Sequence, residues 1–447
     1  FTVFRHEMKK PNSLLPGTVM NIKELKNGDL WIATNMGGGS ILSLKNNTFT
    51  NPAQANFQNI IASEDGYGLS GPFARCIHQD TFGNIWIGNY RSGLDFISYE
   101  SDLFKTLNYA GEIQGRMKHK QVWGLCMGHD GRIWIGGENE LAVYERKNGV
   151  KTIPLPVTQT HLQTYIASIF EDSRHRIWLG TSETGAFVYN PANESFKHIE
   201  TVGNIITEVS CFYEDCNNKL WIGGKNGLFS YSDSEQKIIF EQKLTQQLPD
   251  NIVRSILKDK KGKLWVGTFG KGVTIFDKEG KFATNFVTDS GFPSNAVNSM
   301  IQDSRGRIWV ATREGIVLFP DIDNPSLYEV FSMKEGLNNS QVRAISEDHE
   351  GYIWISTNGG ISRLDESTKQ FYNYIHQDGV PLGDFMDGSV CISQDGMLFF
   401  GSQNGVCYFD PQRFCSIQAV SPVTITQFSV FSSQTESKNI GLAIPLS

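Results

Sequence analysis

Apolar and polar residues alternate along this chain in short runs, which are separated by turns rich in glycine, asparagine and aspartate. Alternation with a period of two, carried by β-branched and aromatic residues, is typical of half-buried β-strands. NIVRSILKD, KLWVGT, GVTIFD and FATNFV are four such runs in succession. The pattern therefore predicts units of four short antiparallel strands, each unit about 45 residues long.

The unit recurs, and a tryptophan in segments such as LWVGT and IWIGG marks it most clearly. The anchors are Trp31, Trp86, Trp134, Trp178, Trp221, Trp265, Trp309 and Trp354, with Phe399 in the same place in the last unit. Trp123 is the one tryptophan outside this series. Self-similarity at a fixed period of this length is the signature of a repeat architecture.

Two further positions recur relative to the anchor. The residue ten before it is small, as at Ser255, and we interpret this as crowding where innermost strands converge on an axis. Six units carry an aspartate six residues before the anchor: Asp80, Asp172, Asp215, Asp259, Asp303 and Asp348. Each lies at the start of a turn, where a carboxylate can accept backbone N–H groups. We therefore interpret these residues as structural, not as metal ligands or acid–base groups.

A four-stranded unit cannot bury both of its faces alone, but radial packing buries them and protects the strand edges. The sequence thus predicts an all-β fold, a β-propeller with the anchors between blades. The expected domains are two residual blades of a truncated N-terminal propeller (1–103), a seven-bladed propeller (104–413), and a linker with the first strand or strands of a different, truncated β domain (414–447). A single ring of eight or nine blades is the alternative.

Closure of the predicted ring poses a specific problem. The last unit has no evident fourth strand after Phe409, because PQRF and a linker follow it. FKTLNY, at 104–109, precedes the first of the seven regular units. We expect it to pair beside 406–409 and to close the ring by strand exchange.

Composition and charge exclude several classes of protein. Aromatic residues make up 12% and charged residues 19%, which excludes a disordered chain and a coiled coil. The net charge of −7 argues against a nucleic-acid partner. No apolar run is long enough to predict a membrane-spanning segment. The cysteines show no zinc-ligand spacing, so no metal or cofactor is predicted. Cys76, Cys126, Cys211 and Cys391 are interpreted as packing residues.

The segments DSRGRIWVATREGIVLF and DKKGKLWVGTFGKGVTIFD resemble the two-component regulator propeller repeat. The connectors LPDNIVRSI and FPSNAVNSM resemble it as well, and SPVTITQFSVF resembles the start of the immunoglobulin-like domain that follows such propellers. The resemblance implies the periplasmic, oligosaccharide-sensing ectodomain of an inner-membrane hybrid histidine kinase, with the kinase outside this chain. It also implies a homodimer in the full-length protein, of which this chain is expected to be a piece.

Ligand contacts in propellers usually come from loops at one mouth of the central channel. The candidate ligand-binding residues are Lys118, His119, Trp123, His161, Tyr165 and Phe385 between units, and Lys225, Phe269, Lys271 and Arg313 between strands two and three. Trp123 either stacks on a sugar ring or plugs the channel end, and both interpretations stay open. No nucleophile elbow or histidine triad occurs, so no catalytic residue is predicted. A protein-interaction or dimerisation propeller, and less so a propeller lyase or glycosidase, are the alternative functions.

Overall fold

Strands form nearly all of the regular structure in this computed structural model. It describes residues 3–26, 28–43, 55–62, 68–81, 83–97, 103–107, 120–146, 149–156, 164–414, 428–430 and 438–440. The helical segments within these ranges are one α-helical turn, Gln242–Thr245, and the 3₁₀ turns Thr288–Ser290, Met333–Glu335, His376–Asp378 and Pro411–Phe414. No helix in the described ranges has both the length and the apolar character to cross a membrane.

The chain divides into two compact units, Phe1–Pro411 and Gln412–Ser447. In the second unit, the described residues form a hairpin of β37 (Phe428–Val430) and β38 (Lys438–Ile440). The first unit begins with two sheets in contact with each other. Their strands are β1 (Val19–Glu24), β2 (Asp29–Thr34), β3 (Gly38–Ser43) and β4 (Phe57–Ile60), then β5 (Ala74–Gln79), β6 (Ile85–Asn89) and β7 (Gly93–Ile97).

Seven further sheets among the described residues follow the same antiparallel plan, and in the third a short parallel strand, β17, is added at the edge. Their strands are β8 (Phe104–Leu107); β9 (Gly124–Met127), β10 (Ile133–Gly136), β11 (Glu140–Glu145), β12 (Gly149–Pro154); β13 (Ile166–Glu171), β14 (Ile177–Thr181), β15 (Ala186–Asn190), β16 (Ser195–His198); β17 (Thr201–Val202), β18 (Val209–Glu214), β19 (Leu220–Gly224), β20 (Gly227–Ser232), β21 (Lys237–Phe240); β22 (Val253–Lys258), β23 (Leu264–Thr268), β24 (Val273–Phe276), β25 (Phe282–Phe286); β26 (Val297–Gln302), β27 (Ile308–Thr312), β28 (Gly315–Phe319), β29 (Glu329–Phe331); β30 (Val342–Glu347), β31 (Ile353–Thr357), β32 (Gly360–Asp365), β33 (Gln370–Tyr374); β34 (Phe385–Ile392), β35 (Leu398–Ser402) and β36 (Gly405–Phe409).

The inner strands of these seven sheets contact one another in cyclic order, and we call this assembly the ring. Contact passes from β9 through β13, β18, β22, β26 and β30 to β34, and then back to β9. The last sheet has the order β34-β35-β36-β8, with Phe104 opposite Phe409 and Leu107 opposite Val406. The expected strand exchange between the two ends is thereby confirmed. After β36 the chain turns into a 3₁₀ segment instead of supplying its own fourth strand.

The anchors fill the space between neighbouring sheets, as the sequence predicted. Trp265 is 0% exposed, and its ring lies 5.1 Å from that of Phe319 in the next sheet, with an edge-on orientation. Trp178 meets Tyr231 of the next sheet at 4.7 Å in the same manner. Edge-to-face packing of buried aromatic rings adds to the free energy gained by burying their area.

The recurring aspartates bind the anchors as well as the turns. In Asp259, Oδ1 accepts the backbone N–H groups of Lys261 and Lys263, and Oδ2 accepts the indole N–H of Trp265 at 2.9 Å. Asp80, Asp172, Asp215, Asp303 and Asp348 bond the indoles of their own anchors in the same way. The structural interpretation of this series is confirmed, and the bond to the indole explains why the spacing of six residues is constant.

The small residues ten before the anchors each face a second small residue, which lies two after the anchor. Ser255 lies opposite Gly267 across β22 and β23. A Cβ atom on Gly267 would lie 2.5 Å from a methyl group of Val297, which belongs to the next sheet. On Gly180 it would lie 2.3 Å from Oγ of Ser168 and 2.6 Å from Val209 of the next sheet. Val297 and Val209 lie in the inner strands β26 and β18, so the crowding is with the inner strand of the next sheet, and the expected convergence on an axis stays a prediction.

Candidate functional site

A β-bulge interrupts each of five consecutive inner strands at the residue eleven before its anchor. The ladder shifts register at this residue, and the bulge residues are Ala167, Ser210, Arg254, Asn298 and Arg343. A bulge leaves one residue outside the pairing and re-aims its side chain. Trp123 occupies the equivalent position in the first sheet of the ring.

Most of these bulge residues line one cavity between the inner strands. The cavity has a volume of about 170 Å³, and its lining includes Trp123, Ala167, Ser210, Arg254, Asn298 and Asp387. We call this cavity, with the side chains that contact its lining, the channel site. The volume suits a small group or the end of a longer ligand, because an oligosaccharide is much larger than this space.

Two arginines flank one aromatic ring at the channel site. The guanidinium carbons of Arg254 and Arg313 lie 5.5 Å and 4.7 Å from the centroid of the Phe269 ring. Arg254 Nη1 also lies 3.4 Å from a carboxylate oxygen of Glu208. Within the described part of the chain, Arg313 forms no ion pair, and Phe269 is the group that holds its guanidinium. Arg313 is therefore a cation without a carboxylate partner among the described residues.

A second polar group on the ring is formed by Arg343 and Asp387, which pair with each other. Arg343 Nη1 donates to Oδ1 of Asp387 at 2.8 Å, and its Nε donates to Oδ1 of Asn358 at 2.7 Å. Asn358 in turn donates to the side chain of Gln341. Because its partner is an arginine, the Asp387 carboxylate at the edge of the cavity carries no unpaired negative charge.

Aromatic rings form the opposite part of the channel site. The ring of Trp123 lies 5.2 Å from that of Tyr165 at an interplanar angle of 41°. The backbone N–H of Trp123 donates to the Gly136 carbonyl, which continues the ladder beyond β9. Its indole Nε1 is enclosed and has no hydrogen-bond partner among the described residues. Trp123 therefore contributes its ring face and not its N–H group to the cavity wall.

The other candidate residues lie in different surroundings. Phe385 is 1% exposed and packs edge-on against Phe400, so its side chain belongs to the core and not to a ligand surface. Lys225 and Lys271 are exposed on the loops where they were expected. Lys118, His119 and His161 lie outside the described residues. The structure thus brings together Trp123 with Tyr165, and Phe269 with Arg313.

Sequence reasoning missed Arg254, Arg343 and Glu208. The sequence does carry a signal for the first two, because both lie eleven residues before an anchor, next to the recurring small position. The alternation of apolar and polar residues does not reveal a bulge, so it predicts ordinary strand positions for these arginines.

Burial makes three of the cysteine thiols unsuited to redox chemistry. Burial raises the pKa of the Cys126 and Cys211 thiols to about 12, which keeps both protonated and unreactive at neutral pH. Burial also raises the pKa of Cys391 well above its ordinary value. Cys76 differs from the packing role expected for it, because its side chain is exposed on β5.

The repeat has counterparts in known proteins. Six segments match the family model described as two component regulator propeller, at residues 68–91, 117–139, 161–183, 247–270, 291–314 and 336–359. The chain contains two-component regulator propeller repeats. Each matched segment from 68–91 to 336–359 ends shortly after a tryptophan anchor, so the repeat of the family is the unit identified above.

Solved structures extend this result to the fold. The extracellular domain of BT3049, described as a hybrid two component system of B. thetaiotaomicron, is 36% identical with a TM-score of 0.76. The match covers 96% of this chain and 56% of that one. The corresponding domain of BT4673 is 20% identical with a TM-score of 0.56, covers 88% of this chain and 52% of that one, and supports the fold alone.

A histidine kinase also matches part of this chain. Histidine kinase P4 of Formosa agariphila is 25% identical over 169 residues, which is 35% of this chain and 12% of the kinase. The chain thus spans about half of the BT3049 ectodomain and a small part of the kinase. These regulator-propeller repeats therefore correspond to part of a larger protein in each relative.

Proposed function

We propose that this regulator-propeller chain is an extracytoplasmic ligand-sensing region of a hybrid two-component system, located in the periplasm. The similarity to the BT3049 extracellular domain supports the sensor role. The relative named as a histidine kinase supports coupling to a kinase that lies outside the described residues. Homodimerisation of the full-length protein is part of the proposal, because two kinase chains would then be brought together.

The ring is, in this proposal, a complete seven-bladed propeller. Its inner strands contact one another in a closed cycle, and β8 supplies the strand that closes it. The sheets β1–β4 and β5–β7 would then belong to a preceding propeller. The hairpin of β37 and β38 would begin an immunoglobulin-like sandwich.

The proposed ligand is an oligosaccharide that binds at the channel site. The observation that carries this part is that an aromatic side chain, Trp123, and a guanidinium, Arg254, line one cavity. Tyr165 packs near Trp123, and the ring of Phe269 contacts Arg254 as well as Arg313. The C–H faces of a sugar ring pack well on aromatic rings, as Trp123 and Tyr165 would allow. Arginine presents several N–H donors in a fixed geometry, and these suit hydroxyl and carboxylate oxygens. Arg313 is the strongest candidate donor because no carboxylate of the described residues forms an ion pair with it.

Calorimetric titration of the purified chain against a panel of neutral and acidic oligosaccharides tests this proposal. We expect saturable binding of at least one glycan, with no new sugar fragments when the mixture is analysed by chromatography. Release of fragments would replace the sensor by a glycosidase or lyase. If the chain extended by a complete first propeller also binds no glycan of the panel, the protein-interaction alternative is favoured.

A further inference from the structure

Neighbouring sheets of the ring are joined by a recurring polar clasp on the turn between strands one and two. At one junction, the backbone N–H and Oγ of Ser304 donate to the carboxylate of Glu347 in the next sheet, at 2.7 Å and 2.6 Å. At another, Ser173 donates in the same two ways to Glu214, at 2.7 Å and 2.9 Å. A serine and a glutamate are therefore sufficient for this clasp.

The junction between the first two sheets of the ring is built differently. His129 takes the position of the serine, and Glu171 takes that of the glutamate. The backbone N–H of His129 donates to Oε2 of Glu171 at 2.6 Å, and Nδ1 of the same histidine contacts Oε1. The backbone half of the clasp is thus retained, but an imidazole replaces the hydroxyl group.

A second histidine converges on the same carboxylate. Nδ1 of His175 lies 3.3 Å from Oε1 of Glu171. His175 occupies a turn position that needs a left-handed backbone, and its φ is 61°. The corresponding residues of the other units are Gly28, Gly83, Gly131, Gly262, Gly306, Gly351 and Gly396, with Asn218 in one unit, all with positive φ. A histidine in this conformation is uncommon, since a side chain is disfavoured where glycine is accommodated freely.

The two imidazoles and the carboxylate form a compact, accessible group. One nitrogen of each ring and one oxygen of Glu171 all lie within 4.8 Å of one another. The rings are stacked with centroids 3.7 Å apart. The side chains of His129 and His175 are 53% and 57% exposed, whereas that of Glu171 is 8% exposed. Two Nδ1 atoms thus face one carboxylate oxygen, whereas the clasp at the serine junctions uses a single side-chain donor.

We propose that His129, Glu171 and His175 form a site for a divalent transition-metal cation such as Zn²⁺, which would tie two neighbouring sheets of the ring together. Imidazole nitrogen and carboxylate oxygen are ordinary zinc ligands, and water can complete a four-coordinate shell around three protein ligands. With Zn–N bonds of about 2.0–2.1 Å, the stacked rings must move apart somewhat. Their exposure leaves room for this movement.

The repeat itself supplies matched variants for the test. His129→Ser restores the clasp of other junctions, and His175→Gly restores the usual turn residue, so both variants are expected to fold. His349, an exposed histidine at the serine position of another unit, provides the control His349→Ser. The metal-free protein and each variant are titrated with Zn²⁺ by calorimetry and melted with and without the metal.

Wild type and His349→Ser should bind one Zn²⁺ at this site and melt at a higher temperature when it is present, since a ligand that binds the native state stabilises it. His129→Ser and His175→Gly should each lower the Zn²⁺ affinity by on the order of tenfold or more and abolish that rise. Absence of saturable Zn²⁺ binding to wild type, or binding that both substitutions leave unchanged, would overturn the proposal. The outcome does not depend on whether the protein binds a sugar.

Discussion

The carboxylate of Asp215 binds Lys258 of the neighbouring sheet, with Oδ2 2.9 Å from Nζ. The same oxygen accepts the indole N–H of Trp221 at 3.2 Å. Burial opposes ionisation of this group, but the hydrogen bonds from Lys258 and Trp221 outweigh burial and lower the pKa of Asp215 below its ordinary value of 3.8. One ionised carboxylate therefore joins a turn, an anchor and the next inner strand.

Removal of this carboxylate should make stability depend less on pH. A carboxyl whose folded pKa is lowered stabilises the fold above its unfolded pKa, and this contribution is lost as pH falls through the folded value. Asp215→Ala should lower the free energy of unfolding by about 3 kcal/mol at neutral pH, because Lys258 is left unpaired. The difference from wild type should shrink below pH 3.8. Urea denaturation at several pH values measures it, and a difference that does not change with pH would contradict this assignment.

The anchor tryptophans should differ in energetic weight according to burial. Trp265→Ala should lower the free energy of unfolding by about 3–5 kcal/mol, since it removes a fully buried ring and leaves Asp259 without its indole partner. Trp86→Ala is the comparison, because Trp86 is only partly buried in the sheet of β5 to β7. Chemical denaturation of both variants should show the smaller loss for Trp86. Equal losses would mean that burial does not set the energetic weight of an anchor.

Closure by β8 can be tested by truncation. A fragment of residues 103–414 contains every strand of the ring, whereas a fragment of 111–414 lacks β8 and leaves the edge of β36 unpaired. The longer fragment should unfold cooperatively. The shorter one should melt at a lower temperature and aggregate, because an unpaired edge strand is a template for association. Equal melting temperatures would show that strand exchange is dispensable.

The arginines at the channel site should distinguish acidic from neutral ligands. Arg313→Gln removes a guanidinium that forms no ion pair with a described residue, so affinity for an acidic oligosaccharide should fall on the order of tenfold, and affinity for a neutral one much less. Lys278→Gln is the control, because it removes an exposed charge from the turn between β24 and β25, which is not part of the cavity lining. Calorimetry at low and moderate salt measures both. An equal effect of the two substitutions would indicate a general charge effect instead of a specific contact.

The repeat was accessible from sequence because its determinants are local. An anchor, a turn aspartate and two facing small residues recur within one unit, and each has a physical reason inside that unit or at its neighbour. The exchange of β8 could also be inferred, since the missing fourth strand after Phe409 had to come from elsewhere. These features predict architecture without any knowledge of long-range distances.

The candidate site was accessible only in part. Phe269 and Arg313 lie on loops whose position follows from the strand order, and their proximity could be expected. Arg254 is aimed into the cavity by a β-bulge, which leaves no mark in the alternation of residues. His129 and His175 come from consecutive units and meet only because one turn packs against the next. Sequence spacing could not reveal that contact, and for this reason no metal site was predicted.

The most direct test of the sensor account is a calorimetric comparison of wild type with Trp123→Ala on the tightest-binding oligosaccharide of the panel. If the indole face contacts the sugar at the channel site, the substitution should weaken binding on the order of tenfold and leave the melting temperature nearly unchanged. Unchanged affinity would place the ligand elsewhere. A large fall in melting temperature with unchanged affinity per folded molecule would show that Trp123 plugs the channel, which contradicts the account.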